Sequence, residues 1–235
     1  MAKWMTRIGI NPDFQELSSF VHELPAIFET EGTVIYKGRN ELKEFDVKGK
    51  KLIVKSYQLP HLLNRIVYNF FRPSKAKRSY SYALMLRNLG IGSPAPVGYY
   101  STGSWLLFGR SYFVCLKSDC PYTYRDFEKT VFPNQEQILR AIAWTTAALH
   151  ENGLLHKDYS AGNILFRTTG QKVEVEIIDL NRMRFGKVDM EMGCRNFERL
   201  PGTHEMFAVL AKEYARARGF NVQTCLELIE KSKLT

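Results

Sequence analysis

The middle of this 235-residue chain lacks acidic residues. Residues 47–118 contain 12 lysines and arginines and no aspartate or glutamate. The formal charge of +9 arises there, because residues 1–46 carry 5 basic and 8 acidic side chains and residues 119–235 carry 16 of each. An acid-free basic segment predicts a surface that faces phosphates, nucleic acid or anionic lipid.

Long apolar runs, a secretion signal and paired cysteines are also missing. No apolar run approaches the roughly 18 residues of a membrane span, and no apolar region with a cleavage site follows the first seven residues. The four cysteines show no metal-type spacing and are interpreted as free thiols. With 45% apolar and 24% charged residues, the sequence predicts a globular cytoplasmic protein.

The most informative motif begins at His156 and has the spacing HxDxxxxN. In kinases this spacing places one carboxylate, here Asp158, where it accepts the proton of an attacking hydroxyl, and an amide oxygen, here Asn163, where it holds Mg²⁺. A Thr-Thr-Gly turn and a strand of alternating polarity follow, and the strand ends at Asp179. The resulting hairpin should bring Asn163 and Asp179 together as oxygen ligands. The sequence therefore predicts a kinase that uses ATP and Mg²⁺.

The predicted nucleotide contacts come from a β-meander earlier in the chain. Its third strand ends its apolar run on a lysine, as does the strand that supplies the phosphate-binding lysine of kinases. Its first turn offers backbone N–H groups and one arginine to phosphate, although it contains a single glycine. The last strand before a predicted hinge adds a leucine. The predicted nucleotide-binding residues are Lys55, Gly38, Arg39, Asn40 and Leu116.

Two features of protein kinases are missing. The helix predicted to end at Asn88 should supply a glutamate that pairs with the strand lysine, but it contains no acidic residue. After Asp179 the chain continues with Leu-Asn rather than Phe-Gly, and only 56 residues remain, too few for a full peptide-docking segment. Three alternatives therefore stay open beside a small-molecule kinase: a protein Ser/Thr kinase, a noncatalytic pseudokinase-type binding protein, and a nucleic-acid-binding protein.

A further pattern concerns membranes. Apolar residues recur at helical spacing from Leu59 to Phe71, and a basic cluster follows immediately. An amphipathic helix with this flank predicts either packing on the protein's own core or peripheral binding to an anionic inner-membrane surface. The cluster comprises Arg72, Lys75, Lys77 and Arg78.

Taken together, these motifs resemble the lipopolysaccharide kinase (Kdo/WaaP) family of protein-kinase-like enzymes. The most specific blocks are His156-Lys157-Asp158 with Gly162-Asn163-Ile164-Leu165, and the segment 179–185. The resemblance implies an α+β, bilobal protein-kinase-like fold. It implies an N-lobe with a small antiparallel sheet over residues 1–116 and a mainly helical C-lobe over residues 117–235.

The same resemblance implies roles for individual residues. Lys55 would contact the ATP phosphates and Asp158 would be the catalytic base. Asn163 and Asp179 would be the metal ligands. The implied acceptor is a Kdo or heptose hydroxyl of the lipopolysaccharide inner core, at the cytoplasmic face of the inner membrane. No nucleic-acid partner is expected.

Overall fold

The computed structural model describes residues 5–57, 73–103 and 108–233. The chain divides into two compact units, Met1–Met85 with Pro94–Lys117 and Leu86–Ser93 with Ser118–Thr235. The sequence placed the boundary after residue 116 and assigned everything before it to the first lobe. Residues 86–93 instead pack with the second unit, where the N–H of Ile177 donates to the carbonyl of Gly92 at 2.9 Å.

The first unit is built on a six-stranded antiparallel sheet. Its strands are β1 (Met5–Ile10), β2 (Thr33–Lys37), β3 (Asn40–Val47), β4 (Lys50–Tyr57), β5 (Pro96–Gly103) and β6 (Phe108–Leu116). Their order in the sheet is β1-β5-β6-β4-β3-β2. The predicted meander is thus present as β2, β3 and β4, whereas edge strand β1 was not predicted. Strand β1 exists because it pairs with β5, more than 80 residues further along the chain.

Two helices belong to this part of the chain, α1 (Ser18–Ile27) and α2 (Lys75–Asn88). A short 3-10 helix, Pro12–Leu17, precedes α1. Helix α1 buries Phe20, Val21 and Leu24 in one core with apolar residues of β4 and β6. Burial of apolar side chains on one helix face and one sheet face is the main stabilising contribution here.

The second unit combines short strands with helices. The strands are β7 (Tyr122–Thr123), β8 (Leu154–His156), β9 (Ile164–Thr169), β10 (Lys172–Ile177) and β11 (Met183–Phe185). Strands β10, β9 and β7 form one sheet, and β11 pairs with β8. The helices are α3 (Gln135–Glu151), α4 (Met190–Arg195), α5 (His204–Arg218) and α6 (Val222–Lys231). Helices α3 and α5 pack against each other.

Helix α3 begins without a side-chain cap. Asn134 is its N-cap residue, but the Asn134 side chain makes no capping hydrogen bond. The backbone of Asn134 has φ −107° and ψ 32°, which is not the extended conformation that aims an N-cap side chain at the helix.

The membrane prediction is only partly covered by these ranges. The amphipathic segment 59–71 and Arg72 lie outside the described residues. None of the described helices combines the length and the apolar character that a transmembrane span requires. In the basic cluster, Lys77 is exposed, but Arg78 is only 9% exposed. Arg78 therefore cannot contact a membrane surface as we predicted, because it lies on the inner face of α2.

Candidate active site

His156 connects the two acidic residues of the predicted site. It ends β8, is fully buried, and lies opposite Met183 of β11. Its Nδ1 accepts the backbone N–H of Asp158 at 3.1 Å, and its Nε2 lies 3.1 Å from the carbonyl oxygen of Ile178. This pattern requires a neutral ring with its proton on Nε2. Burial, the largest influence, lowers the pKa of His156, which favours that neutral form.

Asp158 lies in the turn that follows β8. Its backbone carbonyl accepts hydrogen bonds from the amide nitrogen of the Asn163 side chain at 2.8 Å and from the backbone N–H of Ser160 at 2.9 Å. Its carboxylate forms an ion pair with Nη1 of Arg199 and keeps one quarter of its surface exposed. Hydrogen bonds within the loop thus fix the backbone of Asp158, while its carboxylate stays partly accessible.

The predicted hairpin brings Asn163 close to Asp179. Strands β9 and β10 pair with Ile164 opposite Ile177, and the carbonyl of Asn163 accepts the N–H of Ile178 at 3.0 Å. Asp179 then turns the chain with a left-handed backbone, φ 59° and ψ 45°. Aspartate adopts this conformation more readily than most residues. The side chain of Asn181 donates to Oδ1 of Asp179.

The donor set at this position suits Mg²⁺. The amide nitrogen of Asn163 is committed to the carbonyl of Asp158, so its amide oxygen is the end that can bind a cation. The second ligand would be the carboxylate of Asp179. Mg²⁺ prefers oxygen ligands and usually keeps several waters and substrate phosphates in its shell. Within the described ranges no group of three or more His, Cys, Asp and Glu side chains forms a denser metal site.

A second layer of polar residues supports the loop from behind. The side chain of Asn196 donates to the carbonyl of His156 at 2.9 Å and lies 3.1 Å from Nε2 of His150. Nδ1 of His150 lies 2.8 Å from the hydroxyl of Tyr214. Burial lowers the pKa of His150 to about 4, so its ring is neutral at pH 7. Sequence reasoning missed this layer, because its hydrogen-bonded partners are 40 or more positions apart and share no motif.

Tyr159 fixes the same loop against α3. Its hydroxyl lies 2.6 Å from Oγ1 of Thr146, which in turn donates to the carbonyl of Ile142 at 2.7 Å. Thr146 therefore accepts the proton of the Tyr159 hydroxyl. Burial raises the pKa of Tyr159, so the hydroxyl stays protonated and keeps donating. The residue after the candidate base is thus held rigidly.

The predicted phosphate lysine lies in the first unit. Lys55 is on β4 between Leu42 of β3 and Phe113 of β6, and its side chain is half-buried. Its Nζ lies 5.4 Å from the centre of the Tyr57 ring. Lys55 thus occupies the central part of the sheet, on a strand paired along both edges.

The other predicted nucleotide residues border the same sheet. Gly38 and Arg39 form the turn between β2 and β3, where the N–H of Gly38 donates to the carbonyl of Asn40 at 3.1 Å. Leu116 ends β6 and packs against the core of the first unit.

Comparisons with known proteins support the kinase interpretation. Residues 118–216 match the sequence model of the Lipopolysaccharide kinase (Kdo/WaaP) family. This stretch contains Asp158, Asn163 and Asp179, and the resemblance inferred from the sequence is confirmed. None of the curated proteins matches the chain.

Among solved structures, one described as "WaaP in complex with acyl carrier protein" is similar over 97% of both chains, with 15% identity and a TM-score of 0.69. A gentamicin complex of APH(2")-IIa is similar over 96% of this chain and 87% of that one, with 14% identity and a TM-score of 0.55. At sequence identities this low, the structural similarity shows a shared fold only. The predicted α+β protein-kinase-like fold is confirmed.

Proposed function

We propose that this chain, a kinase that resembles the lipopolysaccharide kinase (Kdo/WaaP) family over residues 118–216, transfers the γ-phosphate of ATP to a sugar hydroxyl of the lipopolysaccharide inner core. The observation that supports this most directly is the geometry around His156. One buried imidazole bonds to the backbone of Asp158 on one side and to the residue before Asp179 on the other. The proposed base and the proposed metal ligand are thereby connected through one side chain.

The proposed chemistry needs few groups from the protein. The acceptor hydroxyl gives its proton to the carboxylate of Asp158 while its oxygen bonds to the γ-phosphorus and the bond to ADP breaks. Asn163 and Asp179 would hold Mg²⁺, which neutralises charge on the phosphates. Lys55 and the turn of Gly38, Arg39 and Asn40 would contact the phosphates, although the N–H of Gly38 already donates to the carbonyl of Asn40. Leu116 would contribute to the nucleotide site from the end of β6.

The proposed acceptor is an inner-core sugar, Kdo or heptose. The match of residues 118–216 to the family model is the main support. The acid-free segment 47–118 fits an acceptor that carries carboxylates or phosphates and lies in an anionic membrane. After Asp179, helix α5 buries Phe207, Leu210 and Tyr214 in the core of the second unit. These side chains therefore stabilise the fold and are not exposed for binding a peptide.

Mass spectrometry of lipid A-core from cells with and without the gene tests the proposal. We expect the core to lose one phosphate when the gene is deleted. The wild-type gene should restore it, and an Asp158→Asn gene should not. An unchanged core, with phosphate missing from a protein instead, would overturn the proposal in favour of a protein kinase.

We also propose that the protein binds the inner membrane peripherally. The support is the basic cluster, of which Lys77 and the half-buried Lys75 reach the surface. Each such charge contributes about 1 kcal/mol near an anionic bilayer. The double variant Lys75→Glu and Lys77→Glu should sediment less with anionic vesicles, whereas Lys129→Glu, at an exposed lysine of the second unit, should sediment like wild type. Equal sedimentation of all three proteins would refute membrane binding through this cluster.

A further inference from the structure

Among the residues that the structure describes, an arginine contacts the candidate base. Arg199 lies in the connection between α4 and α5, and its Nη1 pairs with Oδ1 of Asp158. The Arg199 side chain is 51% exposed, twice the 25% of Asp158. A guanidinium group carries five N–H donors, and this contact occupies only the Nη1 end. The arginine can therefore bind a second oxyanion while it lies beside the base.

The backbone around Arg199 is anchored by a lysine. Nζ of Lys233 donates to the carbonyls of Phe197 at 2.7 Å and Glu198 at 3.1 Å, and also to that of Leu200. These three carbonyls flank residue 199 on both sides. Phe197 is fully buried, with its ring 6.3 Å from that of Tyr159 and 5.3 Å from that of Tyr214. Arg199 thus extends from a preorganised segment, which favours specific binding.

An open cleft is lined by the residues that directly precede each member of this pair in the sequence, Lys157 and Glu198, and not by Asp158 or Arg199 themselves. It has a volume of about 370 Å³ and is lined by residues of β8, the catalytic loop and α4, among them Lys157, Arg195 and Glu198. This volume is within the range of small-molecule sites. Its mixed charge suits a polyhydroxylated ligand, since carboxylates accept hydrogen bonds from hydroxyl groups and cations donate to oxyanions.

We propose that Arg199 binds the anionic group of the acceptor, a sugar carboxylate or phosphate, beside the base. This inference rests on the proposed function and names the residue that selects the acceptor. When the acceptor oxyanion takes over the donors of Arg199, the carboxylate of Asp158 loses its partner and becomes available for the acceptor hydroxyl. Arginine is suited to this exchange because its planar fork matches both carboxylate and phosphate.

Titrations with small ligands test the inference without the full acceptor. The probes are Kdo and its carboxyl-reduced alcohol for the carboxylate, and mannose 6-phosphate and mannose for the phosphate. They are added to the full chain and followed by NMR. We expect wild type to bind at least one acid about tenfold more tightly than its neutral partner, which corresponds to the loss of one charge-assisted pair. The pair that shows the preference identifies the anion.

Three variants decide whether Arg199 is responsible. Arg199→Gln should bind acid and neutral probe equally, and Arg199→Lys should retain part of the preference. Arg140→Gln is the matched control, because Arg140 is 49% exposed and also pairs with a carboxylate, but on α3. It should behave like wild type. Thermal melting of each variant establishes that it is folded.

The inference would be overturned by a wild type without any preference, or by an Arg199→Gln protein that keeps it. Equal loss in Arg140→Gln would also overturn it, since net charge would then explain the effect. The acceptor reaction separates this inference from the proposed function. If wild type phosphorylates the core and Arg199→Gln does so with unchanged acceptor KM, only the role of Arg199 fails. If Arg199 governs anion binding but the core is never phosphorylated, only the proposed function fails.

Discussion

Nε2 of His156 donates a hydrogen bond to the carbonyl oxygen of Ile178 at 3.1 Å. This bond joins the loop that carries the candidate base to the end of β10, one residue before the candidate metal ligand Asp179. The opposite ring nitrogen accepts the N–H of Asp158. Because the ring is fully buried, water cannot replace these two hydrogen-bond partners. The ring therefore fixes both segments at once.

We expect His156→Ala to lower kcat by about 100-fold, because small displacements of a catalytic group cost that much. Two hydrogen bonds are also lost, which should reduce the free energy of unfolding by roughly 1–3 kcal/mol. Phosphotransfer assays and urea unfolding measure the two effects. His204→Ala, at an exposed histidine that pairs with Glu230, is the control and should change neither. Normal turnover in His156→Ala would exclude the positioning role.

Asp158→Asn should bind Mg·ATP like wild type and fail to turn over. The variant keeps the shape of the side chain but loses the proton acceptor. General base catalysis typically accelerates a reaction by about 10²–10⁴-fold. Calorimetric nucleotide binding and single-turnover phosphotransfer measure the two properties. Asp119→Asn changes another aspartate that pairs with an arginine, at an exposed position, and should remain active. An active Asp158→Asn enzyme would contradict the assignment of the base.

Asp179→Ala should weaken Mg·ATP binding itself, because a ligand of the cation rather than a base is removed. Titration of binding against Mg²⁺ concentration should show a higher Mg²⁺ requirement than in Asp158→Asn. The two aspartate variants thus serve as controls for each other. If both bind Mg·ATP equally well, Asp179 is not a metal ligand.

Lys55→Met should lose most of the activity, although α2 supplies no glutamate to pair with this lysine. The expected loss follows from removing a positive charge from the phosphates in the transition state. Lys51→Met changes an exposed lysine on the same strand and should leave turnover unchanged. Wild-type turnover in Lys55→Met would mean that the phosphate contacts lie elsewhere.

The short-range parts of this site could be predicted from the sequence. Asn163 and Asp179 are joined by one hairpin, so the turn and the strand alternation suffice to place them together. The HxDxxxxN spacing likewise predicted that the candidate base Asp158 and Asn163 lie in one short segment, where the side chain of Asn163 donates to the carbonyl of Asp158. Local patterns also predicted the end of α2, at Asn88.

The long-range parts could not be predicted. Arg199 meets Asp158 across 41 positions, and His150 meets Tyr214 across 64. Such contacts follow from how α3, α4 and α5 pack, which no local pattern records. The interpretation of Arg78 as a surface cation was wrong for a related reason. A charge in a basic cluster is normally exposed, but the orientation of α2 turns this one inward.

The buried histidine behind the loop predicts a pH dependence of stability. Burial lowers the pKa of His150 to about 4, below its ordinary value of 6.5. Between these values the unfolded chain binds a proton that the folded protein does not. The free energy of unfolding should therefore be highest above pH 6.5 and fall as the pH decreases toward 4. The shift corresponds to about 3 kcal/mol. His156, whose pKa burial also lowers, acts in the same direction.

Urea unfolding between pH 7 and pH 4.5 measures this effect. In His150→Gln the decline should be clearly shallower than in wild type, because the titrating group is gone while the glutamine amide can still bond to Tyr214 or Asn196. His22→Gln replaces an exposed histidine of α1 and should follow wild type at every pH. If His150→Gln and wild type lose stability in parallel, the acid sensitivity arises elsewhere. The layer behind the catalytic loop would then not depend on a neutral imidazole at residue 150.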